Sequence, residues 1–546
     1  MIFPRVKKLT AERYFSFTDE IKVSLRKCEG LSSEPFYTVF GESSSSADLV
    51  ISAFVNKELS ALSDEAYKII SEEKDLVLNI SLEAPSERGF IRGLFALRRM
   101  YLKNEFPIGE ITDYPSFPVR GYIEGFYGKP WKSTERPEML RFMALFGENT
   151  HYYAPKDDPY HRSKWREAYP ENEASQLKKL VSEANSLYVD FYYCIAPGLS
   201  MKYCDEAEFT ALKNKTRQLY SLGISRFGLL LDDIPADLFY EDDKIKYGNA
   251  VNAHVELVGK YYEFLKTLSP DCRLTVCPTA YHGKGAEPEL VNFASEIPSE
   301  VDVFYTGSDI CSKEITLGET EVFIKNNLHK PLYWDNYPVN DAEMFMEMHL
   351  GPIIGRENDL YKGSAGLISN CMEYFNCNKF PLMTVAAYLW NSEDYDPEES
   401  FLEAVSFLLP EEERDAFILL ADHCRTSCLH DENSRIMGEY LSRAAVEFQT
   451  GNKESAVNTV REYTRRARAA AEIFMAKADK PLYKELARWI RKFLLMCDIL
   501  EKSLKLLEGE DVGELLELMM DHYNESATVL TGFCFREYIE GVLGND

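Results

Sequence analysis

The apolar positions fall into three regimes of spacing. Between about residues 1 and 115 the pattern is mixed. KDLVLNISLEA (Lys74 to Ala84) alternates apolar and polar positions and predicts a strand, whereas SERGFIRGLFALRRMYLKN (Ser86 to Asn104) has helical spacing. EITDYPSFP then supplies turn residues and two prolines, a boundary signal. From about 116 to 410, short apolar or aromatic runs alternate with helix-like segments: VRGYIEGF at Val119, NTHYYAP at Asn149, DFYYCIAPG at Asp190, FGLLLDD at Phe227, LTVCPTAY at Leu274, VDVFYTG at Val301, PLYWDN at Pro331 and AGLISN at Ala365. Eight strands alternating with helices predict an α/β fold, a (β/α)8 TIM barrel. An open doubly wound sheet is the alternative, but no GxGxxG follows the first strand and no GxxxxGK[ST] occurs. From about 411 to 546 the chain reads as α-helical, with apolar residues three and four apart. The expected domains are therefore a small α/β domain (1–115), a barrel (116–410) and a helical domain (411–546).

Composition narrows the partners. With 61 basic and 89 acidic residues the formal net charge is -28, which opposes non-specific nucleic-acid binding and disfavours a polyanionic glycan. No run approaches the length of a membrane span, and the N-terminus lacks a signal-peptide pattern. The 12 cysteines include no CxxC pair. Cys194 and Cys277 sit inside apolar runs as small buried hydrophobes. A reduced, cytoplasmic setting without membrane contact is expected. In the cluster Arg461, Arg465, Arg466 and Arg468, a solvated helix face with intrahelical ion pairs is favoured over an anion site.

Candidate chemistry lies at the C-terminal ends of the barrel strands, where barrel enzymes place their sites. The chain has three Asp-Asp pairs. Asp242-Asp243 lies in hydrophilic YEDDKIK and reads as solvated; Asp157-Asp158, beside Lys156, reads as an ion-pair and capping device. Only Asp232-Asp233 directly follows an all-apolar run, FGLLL. The other strand ends supply Glu124-Gly125, Lys156, Tyr281, Trp334-Asp335-Asn336 and Asn370. Singly these are weak: Tyr281 and Trp334 also read as core, and Asn370 as a helix cap. Jointly they put acids, amide, phenol, ammonium and indole on one rim, a mixture suited to a sugar. No HExxH or zinc-type Cys/His spacing supports a metal, and no GxSxG elbow occurs. Two carboxylates among aromatics point to glycoside hydrolysis without a cofactor.

RGYIEGFYGKPW (Arg120 to Trp131), YYAPKDDPYHRSKWREAYP (Tyr152 to Pro170), LLLDDIP (Leu229 to Pro235) and YWDNYPVND (Tyr333 to Asp341) resemble glycoside hydrolase family 84, which holds the O-GlcNAcases and bacterial β-N-acetylglucosaminidases. The resemblance runs from about residue 85 to 400. It implies a retaining exo-β-N-acetylglucosaminidase in which the substrate's own acetamido oxygen attacks the anomeric carbon to form an oxazoline. The substrate would be a GlcNAc-bearing glycan or a protein with GlcNAc on Ser or Thr. An endo-acting hyaluronidase-like enzyme and a non-catalytic GlcNAc-binding protein stay as alternatives.

Carried over by motif, the resemblance makes Asp232 the group that orients the acetamido N–H and Asp233 the general acid and base. Gly125, through its carbonyl, and Lys156 would hold the 3-hydroxyl. Tyr281 would bond the acetamide oxygen, Trp334 would wall its pocket and Asn336 would contact it. Asp341 would bind the 4- and 6-hydroxyls, and Asn370 would add a sugar contact. Asn340-Asp341 also reads as the cap of a helix beginning at Ala342. Lys129 and Ala280 depart from the family's arginine and acid. Neighbouring strand residues point to opposite faces, so the backbone must turn at Asp232-Asp233 for both to reach one sugar.

Overall fold

The computed structural model describes residues 2–431 and 433–544. The N-terminal region forms a six-stranded sheet of β1 (Lys8–Phe15), β2 (Val23–Glu29), β3 (Leu49–Val55), β4 (Tyr67–Lys74), β5 (Val77–Ala84) and β6 (Phe106–Asp113), ordered β1-β6-β4-β5-β3-β2. The expected strand and helix both form: β5 buries every second residue, and the helix Glu87–Lys103 starts at Ser86, whose hydroxyl accepts from Gly89 N. Gly93 lets this helix approach the sheet closely, since a Cβ there would stand 2.4 Å from Leu82 Cδ1.

Each of the eight apolar runs becomes a strand: β7 (Val119–Glu124), β8 (Thr150–Tyr153), β9 (Asp190–Ile195), β10 (Arg226–Leu230), β11 (Arg273–Cys277), β12 (Asp302–Tyr305), β13 (Pro331–Asp335) and β14 (Gly366–Asn370). They pair in parallel and in sequence, and β14 returns to β7 with Gly366 opposite Val119, closing the barrel. Its interior is filled by Ile123, Tyr152, Tyr192, Cys194, Leu230, Phe304, Leu332 and Ile368, among others. Tyr152 and Tyr192 stack 4.3 Å apart, and Tyr152 Oη bonds Thr275 Oγ1 at 2.8 Å. A filled barrel leaves its strand ends as the place for chemistry.

At the opposite end of the barrel, Glu65 gathers three donors: Arg92 Nε at 2.6 Å, Arg120 Nη2 at 2.7 Å and Asn149 Nδ2 at 2.6 Å. All are buried. Burial alone would push the Glu65 carboxyl up, but Arg120 and Arg92 outweigh it and bring it down to about 2. This network ties β7 and the start of β8 to the N-terminal region.

The chain divides into two compact units. The first comprises Met1–Asn336, Gly355–Asn370 and Val385–Asp396; the second comprises Tyr337–Ile354, Cys371–Thr384 and Pro397–Asp546. The second unit is built on helices, among them Glu411–Asp422, Lys453–Ala476 and Ala487–Leu507. Its core joins Met348, Leu350 and Phe380 to Phe417, Trp489, Ile490 and Phe493, with Phe380 and Phe417 stacked 4.1 Å apart. In the arginine cluster, Arg461 pairs with Glu508, and Arg468 with Asp498 and Glu501. These pairs run to another segment rather than within one helix: Asp498 and Glu501 lie on the helix Ala487–Leu507, and Glu508 caps its end. Among the described residues no helix is long and apolar enough to cross a membrane, and all twelve cysteines are free thiols.

Two local expectations are corrected. Asp243 is not solvated: it is fully buried, because its carboxylate accepts the Tyr203 N–H at 3.0 Å and the Cys204 N–H at 2.7 Å. No α-helix begins at Ala342. A three-residue 3-10 turn, Ala342–Met344, follows Asp341, whose side chain makes no capping bond.

Candidate active site

Strand β10 explains how two adjacent aspartates share a rim. Leu230 points into the barrel, and by the two-residue repeat of a strand Asp232 continues that face. Asp233 would follow Leu229 and Leu231 outward, but its φ is +51°. That left-handed turn is the one the doubled acid requires. It is costly for a non-glycine residue and persists where the surroundings fix it. The segment is anchored by Leu231 N donating to Cys277 O at 2.9 Å and Thr279 Oγ1 donating to Leu231 O at 2.8 Å.

Lys156, just beyond β8, places Nζ 3.8 Å from Asp232 Oδ2 and 4.0 Å from Asp233 Oδ2. The side chains of Lys156 and Asp232 are 10% and 11% exposed, that of Asp233 38%. Burial pulls the ammonium down, but Asp232, Tyr127 and Asp233 hold it above its ordinary value. Burial raises the Asp232 carboxyl; Lys156 opposes the shift and Asp233 adds to it. Tyr281 follows β11, and its phenol is raised by burial and by the charge of Asp233.

Across the rim, Asn336 Oδ1 accepts from Trp334 Nε1 at 2.9 Å and from Asn370 Nδ2 at 3.0 Å. Asn336 Nδ2 donates to Ile310 O at 2.8 Å. These bonds fix both amide orientations. They leave the Asn370 amide oxygen buried without a hydrogen-bond partner among the described residues, a ready acceptor. Gly125 lies against this group: a Cβ there would stand 2.8 Å from Trp334 Cζ2 and 3.2 Å from Asn370 Oδ1. Asp335, between Trp334 and Asn336, turns away and accepts two buried hydrogen bonds from the Arg356 guanidinium, at 2.6 and 2.8 Å.

The structure thus brings Asp232, Asp233 and Lys156 together, with Tyr281 beside them, and groups Gly125, Trp334, Asn336 and Asn370 around one amide cluster. Asp341 belongs to the second compact unit. Sequence reasoning assigned nothing to Tyr127 or Arg162, although both stand in quoted motifs. Tyr127 Oη donates to Asp233 Oδ2 at 3.0 Å, and Arg162 Nη1 donates to Tyr127 Oη at 3.1 Å.

A closed parallel barrel bearing paired carboxylates, a buried ammonium and an indole–amide cluster on its C-terminal rim has the frame of a glycoside hydrolase. A family model described as beta-N-acetylglucosaminidase matches residues 120–422. The protein O-GlcNAcases of Rattus norvegicus and Mus musculus are each 33% identical over 274 residues, 49% of this chain. The chain spans 29% of the length of these curated relatives. A mutant O-GlcNAc hydrolase of Thermobaculum terrenum superposes with a TM-score of 0.74 at 30% identity, over 78% of this chain and 95% of that one. The structure named CpGH84B shares the fold over 99% of this chain and 100% of its own, with a TM-score of 0.85 at 24% identity. The chain belongs to the β-N-acetylglucosaminidase family, glycoside hydrolase family 84.

Proposed function

We propose that the protein is a retaining exo-β-N-acetylglucosaminidase that removes terminal β-linked GlcNAc, including GlcNAc on Ser or Thr, with the acetamido group of the substrate as nucleophile. The observation that carries this reading is the pair Asp232-Asp233 at the end of β10, turned by the positive φ of Asp233 so that both carboxylates lie within 4.0 Å of Lys156 Nζ. The acetamide oxygen attacks the anomeric carbon as its bond to the leaving oxygen breaks. Asp232 accepts a hydrogen bond from the acetamido N–H and so raises the nucleophilicity of the oxygen. Asp233 gives its proton to the leaving oxygen. Asp233, now a carboxylate, then takes a proton from a water that attacks the same carbon and reopens the oxazolinium ring, whose N–H has stayed hydrogen-bonded to the Asp232 carboxylate. Two inversions at one carbon give net retention.

In this reading the Tyr281 phenol bonds the acetamide oxygen, and Trp334 and Asn336 enclose the acetamide. Gly125 O and Lys156 hold the 3-hydroxyl, and Asn370 offers its unpartnered oxygen to the sugar. The part of Asp341 at the 4- and 6-hydroxyls rests on the motif YWDNYPVND. The test compares an aryl β-GlcNAc with the matching aryl β-glucoside. Turnover of the first alone supports the proposal. Equal turnover of both contradicts acetamide participation, and binding of GlcNAc without turnover of either would make this a glycan-binding protein.

A further inference from the structure

Tyr127 and Arg162 approach the site from outside the roles above. Tyr127 follows β7 and is 43% exposed, so its position is not explained by burial of its ring. Arg162 lies in the same β8 loop as Lys156, with its guanidinium carbon 5.8 Å from the Tyr127 ring centroid; Lys156 Nζ stands 5.0 Å from that centroid. A guanidinium can only donate, so the phenol oxygen accepts from Arg162. The single phenol proton is given to Asp233, which as a carboxylate can only accept. While Asp233 is a carboxylate, the direction of both bonds is therefore fixed by the groups themselves.

We propose that Tyr127 and Arg162 are positioning residues for Asp233, a two-step donor chain that fixes its carboxyl on the rim and stabilises the carboxylate left once its proton has gone to the leaving oxygen. The inference rests on the acid–base role given to Asp233 above. Asp233 holds an unfavourable φ on an exposed turn, where a directed bond to its side chain limits the rotamers it can sample. The other charged or titratable groups facing it are Lys156, Asp232, Tyr281 and the buried thiol of Cys277. Arg162 also acts by its charge on Lys156 and Asp232, so Tyr127→Phe, which leaves that charge in place, is the cleaner test. Arg162 acts at one remove: by occupying a lone pair of the phenol oxygen, it makes the phenol a stronger and better aligned donor.

Donation to the charged form favours it, so removing the chain raises the affinity of Asp233 for its proton. Glycoside cleavage needs that proton present. In Tyr127→Phe the basic limb of the kcat/KM profile therefore moves to higher pH, by about one unit. Poor leaving groups, which need the most proton transfer, slow by about tenfold relative to activated aryl glycosides. Arg162→Ala moves both readouts the same way by less, and Arg162→Lys, which keeps a donor, recovers part of the shift. Asp-selective carbon-13 labelling, with Asp233→Asn to assign the signal, follows the Asp233 carboxyl directly in wild type and in Tyr127→Phe, and melting curves check that both are folded. An upward shift of the Asp233 titration in the variant supports the donor chain even if GlcNAc turnover is absent, in which case the catalytic reading fails by itself. Unmoved titration and unmoved basic limb in Tyr127→Phe overturn the inference while leaving the glycosidase reading standing.

Discussion

Lys156 Nζ lies 3.8 Å from Asp232 Oδ2, with both side chains about nine-tenths buried. The ammonium opposes the upward push of burial on the Asp232 carboxyl. It helps keep Asp232 an acceptor for the acetamido N–H. Lys156→Met removes that support, so Asp232 binds its proton more tightly. The acidic limb of kcat/KM then moves to higher pH, by about one unit or more. A pH–rate profile checks this. An acidic limb that stays in place would separate Lys156 from the ionisation of Asp232.

The two aspartates differ in what their loss does. Asp233→Asn falls by about 10²–10⁴ on substrates with poor leaving groups and much less on activated aryl glycosides. Asp232→Asn is impaired on both, because formation of the oxazoline itself suffers. Rates across a series of aryl leaving groups distinguish them. Equal sensitivity of both variants to the leaving group would contradict the division of roles.

Gly125 is required by its neighbours rather than by its own backbone angle. In Gly125→Ala the new methyl meets the Trp334 ring and the Asn370 amide oxygen, and one of them must move. A displacement of about 1 Å in such a site costs on the order of 10² in kcat/KM. Little change in melting temperature is expected. Near-normal kcat/KM in a folded Gly125→Ala variant would show that the indole–amide cluster does not grip the substrate.

Glu65 has no place in catalysis and a large one in stability. Its folded-state carboxyl lies near 2, below its ordinary 4.5. The stability it contributes is present above about 4.5 and is lost as pH falls through about 2. Glu65→Gln leaves two buried arginines without their carboxylate and destabilises by about 3–5 kcal/mol at neutral pH. Denaturant titrations of wild type and variant should converge as pH falls across that window. A stability gap that does not narrow would contradict the assignment.

The barrel was legible because a parallel strand buried on both faces is a short continuous apolar run, and eight such runs recur between helices. The turn at Asp233 was legible too, since two adjacent acids cannot reach one ligand from a regular strand. What escaped was set by partners distant in sequence. Asp243 looks solvated in YEDDKIK, but backbone N–H groups some forty residues away take it inside. Likewise, nothing local marks Tyr337–Ile354 and Cys371–Thr384 as parts of a unit built on helices that follow them. Tyr127 and Arg162 were named only as letters in motifs, because a hydrogen bond between two loops leaves no periodic trace.

The central claim is that the substrate's acetamide is the nucleophile, and the most direct measurement is the rate of hydrolysis of aryl β-GlcNAc analogues bearing zero, one, two or three fluorines on the acetyl group. Each fluorine withdraws electron density from the attacking oxygen. The account predicts that kcat/KM falls steeply and monotonically along the series, whereas a flat response would contradict it.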